Sequence, residues 1–283
     1  MKLLVGIAVM AASAGGLVVF AQGPRPPAPR TKKMILAWGD IRNGVQHDSV
    51  SHALATIERL GYESGVYDTY IRTDSQLITK HKVAGSDGQD VRAKNLNDFD
   101  AIFFYGLREI DLTAQQRADL LSFVKDDGKG FVAAHTADTA FLSWPEFGEL
   151  LGGRYDDHPW SVIEAPVIVE DPNFPATKHF PAVFNLRDEM YQTKDFSRDK
   201  IRVLLRLDVT NLDMKRPGVH RRDGDFPLAW VKHYGRGRVF YSALGHDTNA
   251  WDNPALQKMW FEAIKWSLGL TEADVTPRPM PAK

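Results

Sequence analysis

The stretch GKGFVAAHTADTAF, residues 128–141, is the part of this sequence that most clearly indicates its fold. Its small and apolar residues 131–134 are typical of a short buried strand, and that pattern ends abruptly at His135. Small polar residues follow the histidine. Two interpretations are open at this point: the imidazole caps a core strand, or the strand is there to present the imidazole.

Strand and helix patterns alternate around this stretch through the first half of the chain. Apolar runs predict further strands over residues 33–38, 62–67 and 99–105. Helical spacing predicts a helix over residues 49–60 that stops at Gly61, and Thr113 is placed to cap a second helix. Such alternation indicates a parallel sheet with helices on both faces. Ligands in these sheets bind at the carboxyl ends of the strands, where Asp40 and His135 are expected.

The second half of the chain has more strands and fewer helices. Apolar runs predict strands over residues 163–169, 201–207, 228–233 and 239–243. HYGRGRVFY, residues 233–241, predicts a hairpin, and residues 254–268 have the pattern of an amphipathic helix. The sequence therefore predicts one domain over residues 33–270 with an antiparallel extension on its parallel sheet. A disordered tail is expected over residues 271–283.

The amino terminus has the pattern of a targeting segment. One lysine precedes a long apolar run, which predicts a secretory signal peptide over residues 1–21, and a Pro-rich, basic linker follows over residues 22–32. The run is nearly long enough to span a bilayer, so an uncleaved signal anchor is the competing interpretation. We expect export to the periplasm or the exterior of a bacterium, with membrane contact only through this segment.

Composition and motifs argue against several classes of function. The formal net charge of −1 gives no electrostatic basis for binding nucleic acid. No cysteine is present, which removes thiolate nucleophiles, disulfides and cysteine-based metal sites. The sequence has neither a GxGxxG motif after a strand nor a GxxxxGK(S/T) motif, so we expect no nucleotide cofactor.

Histidines are the strongest candidates for chemistry. Four of the nine lie in loops that the predicted sheet places at one rim: His47, His135, His158 and His246. Neutral imidazoles together with a carboxylate can bind zinc or a similar divalent metal, and His135, His158 and His246 are the expected ligands. Alternatively, histidine can move protons on a sugar hydroxyl or carbon. No HExxH motif is present, so a metal site must combine residues that are distant in sequence.

Three segments together carry a family resemblance. GKGFVAAHTADTAFLSWPEFGELLGGRYDDHPW (residues 128–160), LRDEMYQ (186–192) and PLAWVKHYGRGRVFYSALGHDTNAWDNP (227–254) resemble the ThuA-like family, which is named for trehalose utilisation. The resemblance covers residues 33–269. It implies an α/β fold, a flavodoxin-like three-layer sandwich similar to that of class I glutamine amidotransferases, with a mostly parallel sheet and an antiparallel extension.

The resemblance also implies which residues form the site. The cysteine that amidotransferases carry at a sharp strand-to-helix elbow corresponds here to His135, so amidotransferase chemistry is not expected. The family's recurrent polar positions map onto His135, His158, Glu189, Tyr191, His246 and Asp247. We expect catalytic roles for His135, His246, Glu189, Tyr191 and Asp247. We expect substrate contacts from His47, Asp40 and Trp160.

These observations favour an exported enzyme of sugar or glycoside catabolism, either a lyase, a hydrolase or an isomerase. The resemblance suggests a 3-keto-disaccharide as substrate, since a histidine base can remove the acidic proton beside its carbonyl. The alternative is a non-catalytic carbohydrate-binding protein, in which Trp144, Trp160, Trp230 and Trp251 would stack on sugar rings. In both cases the expected partner is a small sugar or glycoside, and the sequence does not indicate an oligomeric state.

Overall fold

The structure, a computed structural model, describes residues 32–44, 46–85, 87–89 and 93–281. The signal peptide predicted for residues 1–21, and the predicted linker apart from Lys32, lie outside these residues. These residues belong to one compact unit, which begins at Lys32. Within the described ranges, no helix combines the length and the apolar character that a bilayer crossing requires.

The described residues form both strands and α-helices, which are numbered in chain order. The strands are β1 (Lys33–Trp38), β2 (Tyr67–Arg72), β3 (Ala101–Phe104), β4 (Gly130–Ala134), β5 (Arg154–Asp157), β6 (Val162–Val169), β7 (Val183–Glu189), β8 (Gln192–Lys194), β9 (Arg202–Leu207), β10 (Pro227–Tyr234) and β11 (Gly237–Ser242). The α-helices are α1 (Ser49–Ser64), α2 (Ala114–Lys125), α3 (Pro145–Leu151), α4 (Thr248–Asp252) and α5 (Pro254–Ser267).

Among the described residues, nine strands form one sheet in the order β2-β1-β3-β4-β11-β10-β9-β6-β7. The first five are parallel to one another, which is the 2-1-3-4-5 order of flavodoxin-like folds with β11 in the fifth place. The strands from β10 to β7 continue the sheet with antiparallel pairings. The predicted α/β fold, with its antiparallel extension and the hairpin between β10 and β11, is confirmed.

The central parallel strands β3 and β4 are buried, and helices pack on the sheet. Every residue of β3 and β4 is buried, which agrees with their continuous apolar runs. Helices α1, α4 and α5 pack against one another, and α5 contacts β3, β4 and β11. Thr113 caps α2 as expected: its side chain accepts from the Gln116 N–H, and the Gln116 side chain accepts in return.

The first helix is longer than predicted. Helix α1 continues through Gly61 to Ser64 and ends at Gly65, whose φ of 68° lies in the left-handed region. Gly61 is needed for packing: a Cβ at this position would lie 2.3 Å from the ring of Tyr67. The strand expected over residues 62–67 was therefore wrong, because β2 begins at Tyr67.

The chain remains tied to the domain beyond residue 270, where disorder was expected. Residues 271–281 form no helix or strand. Glu272 forms a salt bridge with Arg238, and Arg202 donates both to Asp274 and to the carbonyl of Thr276. These contacts anchor the segment to β9 and β11.

Candidate metal and catalytic site

His135 lies directly after β4, with a φ of 47° in the left-handed region. Its Nδ1 is 2.6 Å from the carbonyl oxygen of Ala243, which directly follows the neighbouring strand β11. A carbonyl can only accept, so Nδ1 carries the proton and Nε2 keeps its lone pair. The strand therefore presents the imidazole with its Nε2 lone pair unused by Ala243. This agrees with the interpretation that the strand of residues 131–134 is there to present His135.

Glu189 ends β7 and brings a carboxylate to that nitrogen. Its Oε2 lies 3.1 Å from His246 Nδ1 and 3.5 Å from His135 Nε2. Burial alone would raise the pKa of Glu189, but the adjacent imidazoles of His135 and His246, the latter through a hydrogen bond, lower the pKa well below the usual range. The same hydrogen bond raises the pKa of His246.

His47 comes from the loop between β1 and α1. Its ring centroid lies 4.7 Å from that of His246 and 5.1 Å from that of His135. Burial and the proximity of these two imidazoles lower the pKa of His47 to about 4. The His47 ring is therefore neutral at neutral pH, which leaves a nitrogen lone pair available.

These four residues fit a divalent metal. His47, His135, Glu189 and His246 each offer one ligand atom, and those atoms lie within 4.8 Å of one another. Three imidazole nitrogens and one carboxylate oxygen form a donor set that suits zinc and other borderline metals. The hydrogen bond from His135 Nδ1 to Ala243 also matches the usual outer partner of a metal-binding histidine.

Three further residues of the expected site lie around this cluster. The Tyr191 hydroxyl is 3.0 Å from His135 Nε2, and the two rings stack with centroids 4.6 Å apart. Asp247 Oδ1 lies 3.7 Å from His246 Nε2, on a carboxylate that also pairs with Arg187. His158, expected as a metal ligand, lies outside the four-residue group, and its Nε2 is 3.7 Å from Glu189 Oε1.

Two residues expected to contact the substrate lie elsewhere. The buried carboxylate of Asp40 is turned onto the Arg42 guanidinium and the Ser75 hydroxyl. Trp160 is only 5% exposed; its indole N–H donates to the carbonyl of Asp213, and its ring packs against Phe226. Neither residue lines the cavity beside the histidines, so substrate contact through either of them stays a prediction that this geometry does not favour.

Asp188 is a supporting residue that the sequence reasoning did not assign to the site. Its buried carboxylate accepts hydrogen bonds from the backbone N–H groups of Gly245 at 2.8 Å and His246 at 3.0 Å. It also accepts from the N–H of Glu189 at 2.8 Å. One carboxylate therefore fixes two of the four candidate ligands. The only sequence signal was its position directly before Glu189, which does not distinguish a supporting role from a catalytic one.

Three of the four residues, His47, Glu189 and His246, line a cavity of about 520 Å³. Its lining residues are Gln46, His47, Leu107, Arg108, Thr136, Thr139, Leu142, Tyr155, His158, Glu189, Tyr191 and His246. Its volume is in the range of small-molecule sites. The mixture of apolar walls and convergent imidazole, carboxylate and phenol groups is typical of an enzyme pocket.

Solved structures similar to this chain share its fold. A ThuA-like protein from Bacteroides uniformis aligns with a TM-score of 0.64 and 22% identity, over 87% of this chain and 95% of its own. A ThuA-like protein from Parabacteroides merdae aligns with a TM-score of 0.63 and 17% identity, over 88% of this chain and 98% of its own. None of the curated proteins compared with this chain matches it.

The family match covers the strands and loops that build the site. The family model ThuA, described as trehalose utilisation, matches residues 35–267. That range includes all four candidate ligands and most of the folded unit. This chain belongs to the ThuA family.

Proposed function

We propose that this chain is a metal-dependent enzyme that acts on a sugar or glycoside. The proposal depends on one observation: the ligand atoms of His47, His135, Glu189 and His246 lie within 4.8 Å of one another, beside a cavity of about 520 Å³. A cavity of this volume can hold a mono- or disaccharide. The description of the family, trehalose utilisation, agrees with such a substrate.

The protein's own groups support proton transfer at this place. A metal held by these residues would polarise a substrate oxygen. In the structure, the Tyr191 hydroxyl donates to His135 Nε2, since that nitrogen carries no proton. When the Nε2 lone pair is used for coordination, the Tyr191 hydroxyl hydrogen is free to donate to a substrate oxygen.

His158 is the candidate for moving a proton on the substrate. Its ring lines the cavity, and its side chain is 43% exposed, which leaves it accessible to a bound ligand. A 3-keto-sugar has acidic protons beside its carbonyl, and an imidazole base can remove one of them. We propose a 3-keto-disaccharide as the substrate and elimination, hydration or isomerisation as the reaction class.

An assay with matched variants tests this function. Purified protein is given 3-keto-disaccharides after zinc loading and after chelation. We expect turnover only in the loaded protein, with a loss of about 100-fold or more in His135→Ala and His246→Ala. His81→Ala is the control, because His81 is exposed and lies outside the cavity. Equal turnover by the loaded, stripped and variant proteins would overturn the proposal.

The alternative, a carbohydrate-binding protein without catalysis, has less support. The four tryptophans expected to stack on sugars are buried: Trp144, Trp160, Trp230 and Trp251. None of them lines the cavity. Tight sugar binding without metal or turnover in the same assay would favour this alternative.

We also propose that the protein is exported through its N-terminal apolar segment, as the pattern over residues 1–21 indicates. Cell fractionation followed by N-terminal sequencing tests this. We expect the chain in the periplasm or medium with an N-terminus near Gln22. A full-length chain in the cytoplasm would contradict export.

A further inference from the structure

A second, larger cavity of about 790 Å³ lies beside the first. The two cavities share Leu142, a large apolar side chain that is nevertheless 56% exposed. The cavities therefore lie on either side of one side chain, and a ligand longer than the first cavity would extend over Leu142 into the second.

The small sheet of β5 and β8 forms a wall common to both cavities. Arg154 of β5 pairs with Lys194 of β8, and both line the second cavity. Tyr155 follows Arg154 and lines the first cavity, as does Tyr191 just before β8. Successive residues of a strand point to opposite faces, so this short sheet places one set of side chains on each side.

The second cavity has an excess of positive charge. Its basic residues are Arg154, Lys194, Lys200 and Lys232, and its acidic residues are Glu149 and Asp195. The guanidinium of Arg154 is occupied by the main-chain carbonyls of Ala140, Phe141 and Trp144. Lys194 lies 3.8 Å from Asp156, which partly neutralises it.

Lys200 and Lys232 remain as available cations. Among the described residues, neither has a carboxylate within salt-bridge distance. The Lys232 ammonium is half-buried and donates to the carbonyl of Glu149 at 2.5 Å, which leaves two of its hydrogens unused by that bond. Burial and the charge of Lys200 lower the pKa of Lys232, while the charge of Glu149 raises it. Both lysines line the second cavity, where an anionic group of a ligand would face them.

We propose that the substrate is an acidic saccharide, whose reacting sugar occupies the first cavity and whose anionic group, a carboxylate or a sulfate, binds Lys200 and Lys232 in the second. This inference rests on the proposed function for the identity of the first cavity. The side chains of Phe196 and Tyr234 line the second cavity and offer apolar surface to a sugar ring. Leu142 contacts the connection between the two sugar units.

Binding of unoxidised disaccharides to zinc-loaded protein tests the inference without turnover. Isothermal titration calorimetry compares a glucose disaccharide, a glucosyl-glucuronate and a sulfated glucose disaccharide, at low and high salt. We expect one or both acidic sugars to bind about tenfold tighter than the neutral sugar, with a preference that weakens in high salt. Equal binding of all three sugars, or no binding of any, would overturn the inference.

Variants of the two lysines test whether the preference for acidic sugars comes from the second cavity. Lys200→Gln, alone and with Lys232→Gln, should weaken binding of the acidic sugar about tenfold in the double variant and leave the neutral sugar unchanged. The single variant keeps the test valid if loss of the Lys232 hydrogen bond perturbs folding. Lys258→Gln, on the exposed face of α5, is the control. An equal effect of the control, or no effect of Lys200→Gln and the double variant, contradicts the inference.

The same titration in His246→Ala separates this inference from the proposed function. This variant should lose metal and turnover while it keeps the preference for acidic sugars. If the wild type holds no metal and turns over no substrate but still prefers acidic sugars through these lysines, only the proposed function fails.

Discussion

At the residue scale, His135 is held in a backbone conformation that few side chains adopt. Its φ of 47° lies in the left-handed region, which costs about 1–2 kcal/mol for most residues and less for asparagine. The hydrogen bond to Ala243 and the packing of the buried ring offset that cost. The strain is thus localised on the residue whose Nε2 faces the other candidate ligands.

Because His135 has a positive φ, substitutions can separate its effect on stability from its effect on metal binding. We expect His135→Asn to lose bound metal but to stay closer to wild-type stability than His135→Val, since valine is β-branched and disfavours positive φ. The difference in unfolding free energy between the two variants should be about 1 kcal/mol or more. Metal content and urea unfolding measure the two effects. A metal-loaded His135→Asn variant would contradict the assignment.

Asp138 makes stability depend on pH. Its carboxylate is buried, and neither oxygen has a hydrogen-bond partner among the described residues. The nearby Tyr241 hydroxyl donates instead to the carbonyl of His135, at 2.9 Å. Burial raises the pKa of Asp138 to about 8. The native state therefore binds an extra proton between about pH 4 and pH 8, and the free energy of unfolding falls as pH rises through that window.

Removal of this carboxylate should flatten that pH dependence. Between pH 5 and pH 9, we expect Asp138→Asn to lose less stability than the wild type, by about 1 kcal/mol or more. Urea unfolding at the two pH values measures this difference. Asp199→Asn, an exposed position, is the control. Parallel pH profiles of wild type and Asp138→Asn would show that the carboxyl titrates normally.

At the element scale, the loop after β11 owes its position to contacts from distant elements. The carbonyl of Gly245 accepts from Tyr105 at 3.0 Å and from the Trp251 indole at 2.9 Å, and Ser49 donates to the carbonyl of His246 at 2.7 Å. Asp188 binds the two N–H groups of the same loop. The His246 ring is thus placed by β7, α1 and the end of β3 together.

We expect Asp188→Asn to weaken metal binding without removing a ligand. The amide keeps one acceptor oxygen but replaces the other with a donor, which faces backbone N–H groups. Loss of such a supporting partner typically costs about 10–100-fold in metal affinity. Competition with a zinc chelator measures the change, with Asp199→Asn as the matched control. An unchanged affinity would mean that the loop holds its position without Asp188.

The sequence could predict long apolar elements but not the short polar ones. The buried strands and the α2 cap were predictable because hydrophobic period and capping residues are local signals. The tripeptide Gln192–Lys194 of β8 has no such signal and is a strand only because it pairs with β5. Gly61 lies inside α1, where a side chain would collide with the ring of Tyr67. That contact is tertiary, so the sequence around Gly61 could not distinguish this glycine from one that ends a helix.

The same limit applies to the candidate site. The rule that ligands bind at carboxyl ends of parallel strands placed His47, His135 and His246 correctly at one rim. It also selected Asp40, because the rule gives the edge of the sheet and not the direction of a side chain. Glu189 is the last residue of β7, a strand that the sequence did not predict, so only the family resemblance gave it a role in the site.

At the scale of the whole molecule, metal binding should stabilise the fold. A ligand that binds only the native state at about 100 times its Kd adds about 2.7 kcal/mol. For a domain of this size that corresponds to a rise in Tm of roughly 5–10 °C. We expect zinc to raise the Tm of the wild type and of His81→Ala, but not of His246→Ala. Differential scanning calorimetry measures the shift, and an equal shift in His246→Ala would indicate binding elsewhere.

The sheet order explains how residues so distant in sequence form one cluster. β4 and β11 are neighbours, so their following residues His135 and Ala243 meet, and His246 lies three residues further. β7 is the edge strand of the antiparallel extension, four strands away from β11 in the sheet. Its last residue, Glu189, nevertheless lies beside His246. The antiparallel extension therefore supplies the carboxylate, and the parallel sheet supplies the imidazoles.

An anomalous-scattering difference map from crystals grown with zinc tests this account most directly. The account predicts a single strong peak at about 2.0–2.2 Å from nitrogen atoms of His47, His135 and His246 and from a Glu189 oxygen. The absence of a peak there at saturating zinc, or a peak bound by other residues, would contradict it.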